Sequence, residues 1–248
     1  MKRQKVQALI LGRRSWGEAD RLVTLFTREM GITRVLAKGV RLIPSRRGGH
    51  LEPLTRVLAL VNGARDWWYL THVETQDYFP ELHEDAAALE RAQHVGQLLL
   101  ETAAEGEAHE EVFDFLEGAW NMFPQLTPAK QVLLELGVTM KIFSVGGILP
   151  QLDACRRCGR VKPADAVLLD SEEGGWHCLL CHDGLWGASV SLPPRLLAVL
   201  RYAAANPYEA VRIRITDEES RQVASAMRAY TAPQARSSWV GSMQYAAG

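Results

Sequence analysis

Four cysteines stand within 27 residues, in the order Cys155-Arg156-Arg157-Cys158 and, after nineteen further residues, Cys178-Leu179-Leu180-Cys181. A Cys-x2-Cys turn aims two thiolates at one point, and two such knuckles complete a tetrahedron around zinc with Zn–S bonds of about 2.3 Å. The spacing predicts one zinc ion held by Cys155, Cys158, Cys178 and Cys181. Four sulfurs leave no position for water or substrate, so the expected role of the metal is structural. Two disulfides are an alternative, with three possible pairings. A redox Cys-x-x-Cys is another, but that motif opens a helix after a strand, and here each pair runs into glycine, aspartate or basic residues. His177 and His182 flank the second pair and could replace a cysteine.

Catalytic patterns are weaker. Gly12-Arg13-Arg14-Ser15-Trp16-Gly17-Glu18 has P-loop spacing, yet Glu18 occupies the place of the phosphate-binding lysine, where a carboxylate would repel a nucleotide. His72-Val73-Glu74 matches the H-x-E of zinc deaminases, but Cys155 is not preceded by proline and a four-cysteine shell has no open site. The seven histidines are scattered. The acidic stretch Glu105 to Glu117 reads as a solvated helix face. No catalytic residue is expected.

The net charge of −1 conceals an uneven distribution. Residues 1–80 carry fourteen Lys and Arg against seven Asp and Glu, residues 81–150 three against twelve, and residues 151–248 eleven against ten. A first segment at +7 beside a second at −9 predicts an N-terminal module built for an anionic partner. No run approaches the 18 apolar residues of a membrane span. The longest central one, Ile142 to Leu152, is interrupted by Gly146, Gly147 and Pro150. Lys2, Arg3 and Lys5 precede an apolar stretch too short for a signal peptide, so a soluble, reducing, cytoplasmic setting is expected.

The elements that must position these groups follow from periodicity. Five β-branched and aromatic runs, Lys5 to Arg13, Arg21 to Arg28, Ile32 to Lys38, Leu54 to Val61 and Trp67 to Val73, are separated by turn residues. Five short strands in 80 residues fit a small closed barrel of the OB-fold plan. From Glu81 the period becomes helical: Leu89, Ala92, Val95 and Leu99, then Val112, Phe115, Ala119 and Met122, then Val132, Leu136, Met140 and Phe143. Thr127 with Pro128 should open the third of these helices and Gly146-Gly147 close it. The knuckles look like an insertion before helices resume after Pro193-Pro194, and Thr216 with Glu219 forms a capping box. The predicted architecture is α+β and multidomain: an OB-fold DNA-binding barrel over 1–80, a helical domain over 81–148, a zinc-binding segment over 149–187, and C-terminal helices over 188–248 that pack on the helical domain.

OB-folds hold single strands by a cationic groove lined with aromatic faces. Arg34 and Lys38 share a face of the third strand by alternation, and Arg41, Arg46 and Arg47 follow it. Arg13, Arg14, Arg56 and Arg65 complete the candidate DNA-contacting set. Trp67, Trp68 and Tyr69 are consecutive on a strand, so Trp68 must face away from the other two, with one face in the core.

The run Gly17-Glu18-Ala19-Asp20-Arg21-Leu22-Val23-Thr24-Leu25-Phe26-Thr27, then Ala37-Lys38-Gly39-Val40-Arg41 and Ser45-Arg46-Arg47-Gly48-Gly49-His50-Leu51-Glu52-Pro53-Leu54, closely resembles the N-terminal barrel of the RecO family of bacterial recombination mediators. Gly147-Ile148-Leu149-Pro150 before Cys155-x2-Cys158-Gly159, with Gly174-Gly175 before Cys178-x2-Cys181, resembles that family's zinc knuckle. The resemblance covers residues 1–187. It implies a non-enzymatic protein that binds single- and double-stranded DNA and anneals complementary strands. It further implies action with RecR to bring RecA onto DNA coated by single-stranded DNA-binding protein, and a nucleoid-associated place in the cell. The competing classes are a zinc enzyme acting on nucleic acid, which would need open-site ligands, and a pure protein adaptor, which would not need a basic barrel. The basic tail found in many members is replaced by the uncharged Ser237 to Gly248.

Overall fold

Alternating apolar residues close the N-terminal strands on themselves. The structure, a computed structural model, describes residues 2–41, 50–64, 67–181 and 189–242, with side chains as far as residue 232. Its first five strands are Lys2–Trp16 (β1), Asp20–Thr27 (β2), Gly31–Ala37 (β3), Arg56–Ala64 (β4) and Trp67–Asp77 (β5). Every second residue points inward. Val6, Ala8 and Ile10 of β1 meet Val23 and Leu25 of β2, Val35 and Ala37 of β3, Val57, Ala59 and Val61 of β4, and Leu70 and Val73 of β5. The strands close in the order β1-β2-β3-β5-β4. β3 and β5 meet in parallel at Val35–Trp68 and Leu36–Tyr69. β1 is long because it pairs twice, with β4 through Lys2 to Leu9 and with β2 through Ala8 to Trp16. A register shift between Ile10 and Gly12 bends it from one partner to the other, as bulges do where barrels turn a corner.

Three helices follow within the same compact unit, which spans Met1–Pro124: Pro80–Glu84 (α1), Ala86–Thr102 (α2) and Glu110–Met122 (α3). The carboxylate of Asp85 accepts the Ala87 and Ala88 N–H groups and so opens α2. These helices cover part of the barrel's outside. Phe26 of β2 packs 5.8 Å from the Phe113 ring, and Phe79 meets Trp120 edge-on at 5.5 Å. Gly31 lies at φ +64°, and a Cβ there would stand 1.9 Å from the Glu107 carbonyl oxygen, so only glycine lets the β2–β3 turn meet the α2–α3 connection.

The second unit spans Gln125–Gly248 and is built around Pro128–Val145 (α4), whose residues Gln131 to Met140 are all buried. Thr127 and Pro128 open α4, and Gly146 with Gly147 at φ +67° ends it, as the sequence predicts. Pro194–Ala205 (α5), a 3-10 segment Pro207–Arg212, and Asp217–Ser242 (α6) pack on α4. The capping box forms: Glu219 N–H donates to Thr216 Oγ1 at 3.1 Å, and Thr216 N–H to the Glu219 carboxylate at 2.8 Å. The cysteine region departs from a plain knuckle insertion. Val167–Asp170 (β6), Gly175–Cys178 (β7) and Ser189–Leu192 (β8) form a three-stranded sheet in the order β7-β6-β8. Each strand has four residues, too few for a period-two signal to stand out.

Candidate metal centre and nucleic-acid interface

The first knuckle is a turn in which the Gly159 N–H donates to the Cys155 carbonyl at 3.0 Å, with Gly159 at φ +71°. Cys178 ends β7, and Leu179–Cys181 form a single 3-10 turn. The two knuckles are bonded to each other. Arg156 N–H donates to the Trp176 carbonyl at 3.0 Å, Cys178 N–H to Cys155 Sγ at 3.4 Å, and Arg157 to the Cys181 carbonyl at 2.8 Å.

All four sulfurs lie within 4.8 Å of one another and can hold a metal ion. Cys158 Sγ and Cys178 Sγ are 3.8 Å apart. That matches the edge, about 3.8 Å, of a tetrahedron with metal–sulfur bonds of about 2.3 Å. A disulfide needs about 2.05 Å, and the four are free thiols. Burial raises the Cys155 thiol, but N–H groups of Cys158, Cys178 and Arg157 outweigh it and bring it down to about 6. Burial, followed by hydrogen bonding and charge from Cys155 and Cys158, pushes Cys178 up to about 12. A hydrogen bond to Cys158 leads the causes that raise Cys181. The cluster tolerates a thiolate at Cys155 and resists more negative charge, the condition a dication relieves. His177 is buried but outside the four-sulfur group, and His182 lies outside the described residues.

Sequence reasoning missed the residue that steadies this centre. Arg201 of α5 donates to the carbonyls of Leu152 (2.6 Å), Asp153 (2.9 Å) and Val161 (2.8 Å), and its guanidinium lies 5.6 Å from the Trp176 ring centroid. The available signal was an arginine four residues after Leu197, on a helical stripe otherwise apolar.

On the barrel, the candidate cations divide by their partners. Arg13 bonds Glu52 at 2.5 Å and the Leu51 carbonyl at 3.3 Å, Arg34 pairs with Glu105 at 2.8 Å, and Arg56 pairs with Glu117. Arg28, outside the candidate set, pairs with Asp114 at 3.0 Å and Glu110 at 3.5 Å. The acidic stretch is therefore not simply a solvated face: Glu105, Glu110, Asp114 and Glu117 hold barrel arginines against α3 and the loop before it. Helical periodicity cannot reveal this, because the partners stand 61 to 86 residues apart in sequence.

Of the other described candidates, Arg14, Lys38 and Arg41 are exposed, and the first two lie over aromatic rings. Arg14 lies 5.2 Å from the Trp16 centroid and Lys38 4.9 Å from that of Tyr69. Arg41 donates to the Gly17 carbonyl at 3.2 Å through its side chain and to that of Ala19 at 3.0 Å through its backbone. Trp68 packs against the core while Trp67 is 39% exposed, the opposition that strand alternation requires. Arg46, Arg47 and Arg65 lie outside the described residues. Among the described residues no helix is long and apolar enough to cross a membrane.

A small closed barrel that presents cations and aromatic rings, followed in the chain by a helical unit with a four-cysteine centre, defines a two-unit protein. Comparison with known proteins specifies it. Residues 1–79 match the family model described as "Recombination protein O N terminal", and residues 83–243 match "Recombination protein O C terminal". The chain is 34% identical over 190 residues to the DNA repair protein RecO of Anaeromyxobacter dehalogenans, covering 75% of this chain and 73% of that protein. It is 33% identical over 183 residues to the RecO of Gloeobacter violaceus, covering 73% and 69%. Against the RecO of Rubrobacter xylanophilus it is 28% identical over 232 residues, covering 93% of each. The chain belongs to the RecO family, and its role lies in DNA repair and recombination.

Proposed function

We propose that this protein is a recombination mediator without catalysis. Its N-terminal barrel is an OB-fold that binds single- and double-stranded DNA and anneals complementary strands. With RecR it promotes RecA loading onto DNA coated by single-stranded DNA-binding protein, in the cytoplasm at the nucleoid. The functional division runs as barrel 1–80, helices 81–148, metal segment 149–187 and C-terminal helices 188–248. One structural zinc ion is held by Cys155, Cys158, Cys178 and Cys181, where it supplies the positive charge that the crowded thiols lack and rigidifies their loops.

The observation that carries the DNA reading is the exposure of Arg14, Lys38 and Arg41 on a barrel in which Arg13, Arg34 and Arg56 are paired with carboxylates. Phosphate contacts supply most of the affinity of a sequence-independent DNA binder, and exposed cations are the side chains that supply them. Arg46, Arg47 and Arg65 belong to the same proposed track. The test is strand annealing between complementary oligonucleotides by the full chain and by its Arg14→Glu, Lys38→Glu double variant. Annealing and affinity should fall together with melting temperature unchanged. Undiminished annealing in the double variant would move the DNA track elsewhere.

A further inference from the structure

The exposed end of the barrel contains more than charge. Trp16 closes β1 and Trp67 opens β5, and their ring centroids stand 5.5 Å apart with planes tilted by 58°. An indole is the largest apolar side chain, yet Trp67 keeps 39% of its surface open to solvent. Beside it Tyr69, two residues along the same strand face, carries Lys38 at 4.9 Å, and Trp16 carries Arg14 at 5.2 Å. Three rings, one exposed and two half-exposed, thus share this surface, with a cation over Trp16 and another over Tyr69.

The surface is held in place from below. Asp20, the cross-strand partner of Trp16, accepts the Gly39 N–H at 2.7 Å. Arg41 grips the turn between β1 and β2 by its two bonds to Gly17 and Ala19. The turn that carries Trp16 is thereby fixed to the turn after β3, and Trp67 is fixed by its pairing with Ala64 of β4. A preorganised ring loses little entropy on gaining a partner.

We propose that Trp16 and Trp67 form a stacking platform for an unpaired nucleobase, with Arg14 and Lys38 holding the phosphates on either side, and that this platform makes the barrel prefer single-stranded to duplex DNA. It rests on the DNA-binding function proposed above. A base within a duplex has both faces covered by its neighbours, whereas an unpaired base can offer one face to an indole. Cations alone make no such distinction, since both forms of DNA present phosphates. A protein that anneals strands needs to hold unpaired bases and release the paired product, and a platform that a paired base cannot use provides that.

The experiment compares Trp67→Ala, Trp67→Tyr and wild-type full chains. Each is titrated at one salt concentration with a dT oligomer, an abasic oligomer of equal length, and a duplex. Trp67→Ala should lower affinity for dT by roughly 5- to 150-fold, the range one stacked base supplies. Affinity for the abasic strand and the duplex should stay within about twofold, and Trp67→Tyr should recover most of the dT binding. Tryptophan emission should be quenched by dT and not by the abasic strand. Equal losses on all three probes, or no loss on any, would overturn the platform while leaving DNA binding intact. If the wild-type chain bound none of the three, the broader DNA-binding function would fail instead. Trp16→Ala, read by the same three probes with its melting temperature, guards against a folding defect particular to one variant.

Discussion

Thiols whose sulfurs crowd within 4.8 Å resist ionising together, and their shifts show which protons a metal must displace. Cys155, at about 6, is already ionised near neutral pH, whereas Cys178, near 12, and Cys181, also raised, are not. Zinc uptake by the stripped protein near neutral pH should therefore release at least two protons per metal, measurable with an indicator dye in weak buffer. Release of one or none would contradict four-thiolate ligation. Acidification acts in the opposite direction, since protons compete with metal for the same sulfurs, so zinc retention should fall as pH drops. Arg201 belongs to the same scale. Its bonds to three carbonyls use the guanidinium fork, which an ammonium cannot reproduce. Arg201→Lys should cost about 1–3 kcal/mol and speed zinc loss to a chelator. The cysteines were legible in sequence because their spacing is local, but Arg201 was not, because its partners lie 40 to 49 residues away.

Among elements, the strands and helices were largely legible because burial on one face imposes a period on the chain. The five predicted strands are all present, and the capping box at Thr216 and Glu219 forms as read. What periodicity could not show was the sheet β7-β6-β8, whose strands are short, or the use made of the acidic stretch. Arg34 and Lys38 looked equivalent by alternation, yet one is paired with Glu105 and the other lies over Tyr69. Their substitutions should part accordingly. Arg56→Glu would set two carboxylates against each other in a partly buried place beside Glu117, and should lower the melting temperature more than Arg34→Glu, whose exposed pair is worth about 0–1 kcal/mol. Neither should reduce DNA affinity as Lys38→Glu does. Gly31→Ala should cost about 1–3 kcal/mol from its left-handed backbone, before the clash with Glu107 is added. Thermal melts that rank Arg34→Glu below Arg56→Glu in stability would show that α3 is not secured this way.

For the whole molecule, the proposed DNA track uses only part of the excess of seven positive charges in residues 1–80. Arg13, Arg34 and Arg56 are engaged by carboxylates within the first unit, and the proposed phosphate contacts among the described candidates are the exposed Arg14, Lys38 and Arg41. Each phosphate neutralised on a single strand contributes about −0.7 to the slope of log affinity against log salt. Three contacts give a slope of about −2, and adding Arg46, Arg47 and Arg65 brings it to about −4. The full chain titrated with a dT oligomer across a salt series should fall between these values, with Lys38→Glu making the slope shallower and Arg34→Glu leaving it unchanged. A slope of about −6 would require all nine candidates to meet phosphate. The ion pairs to Glu52, Glu105 and Glu117 would then have to open on binding, and the acidic residues would compete with DNA for the barrel instead of bracing it.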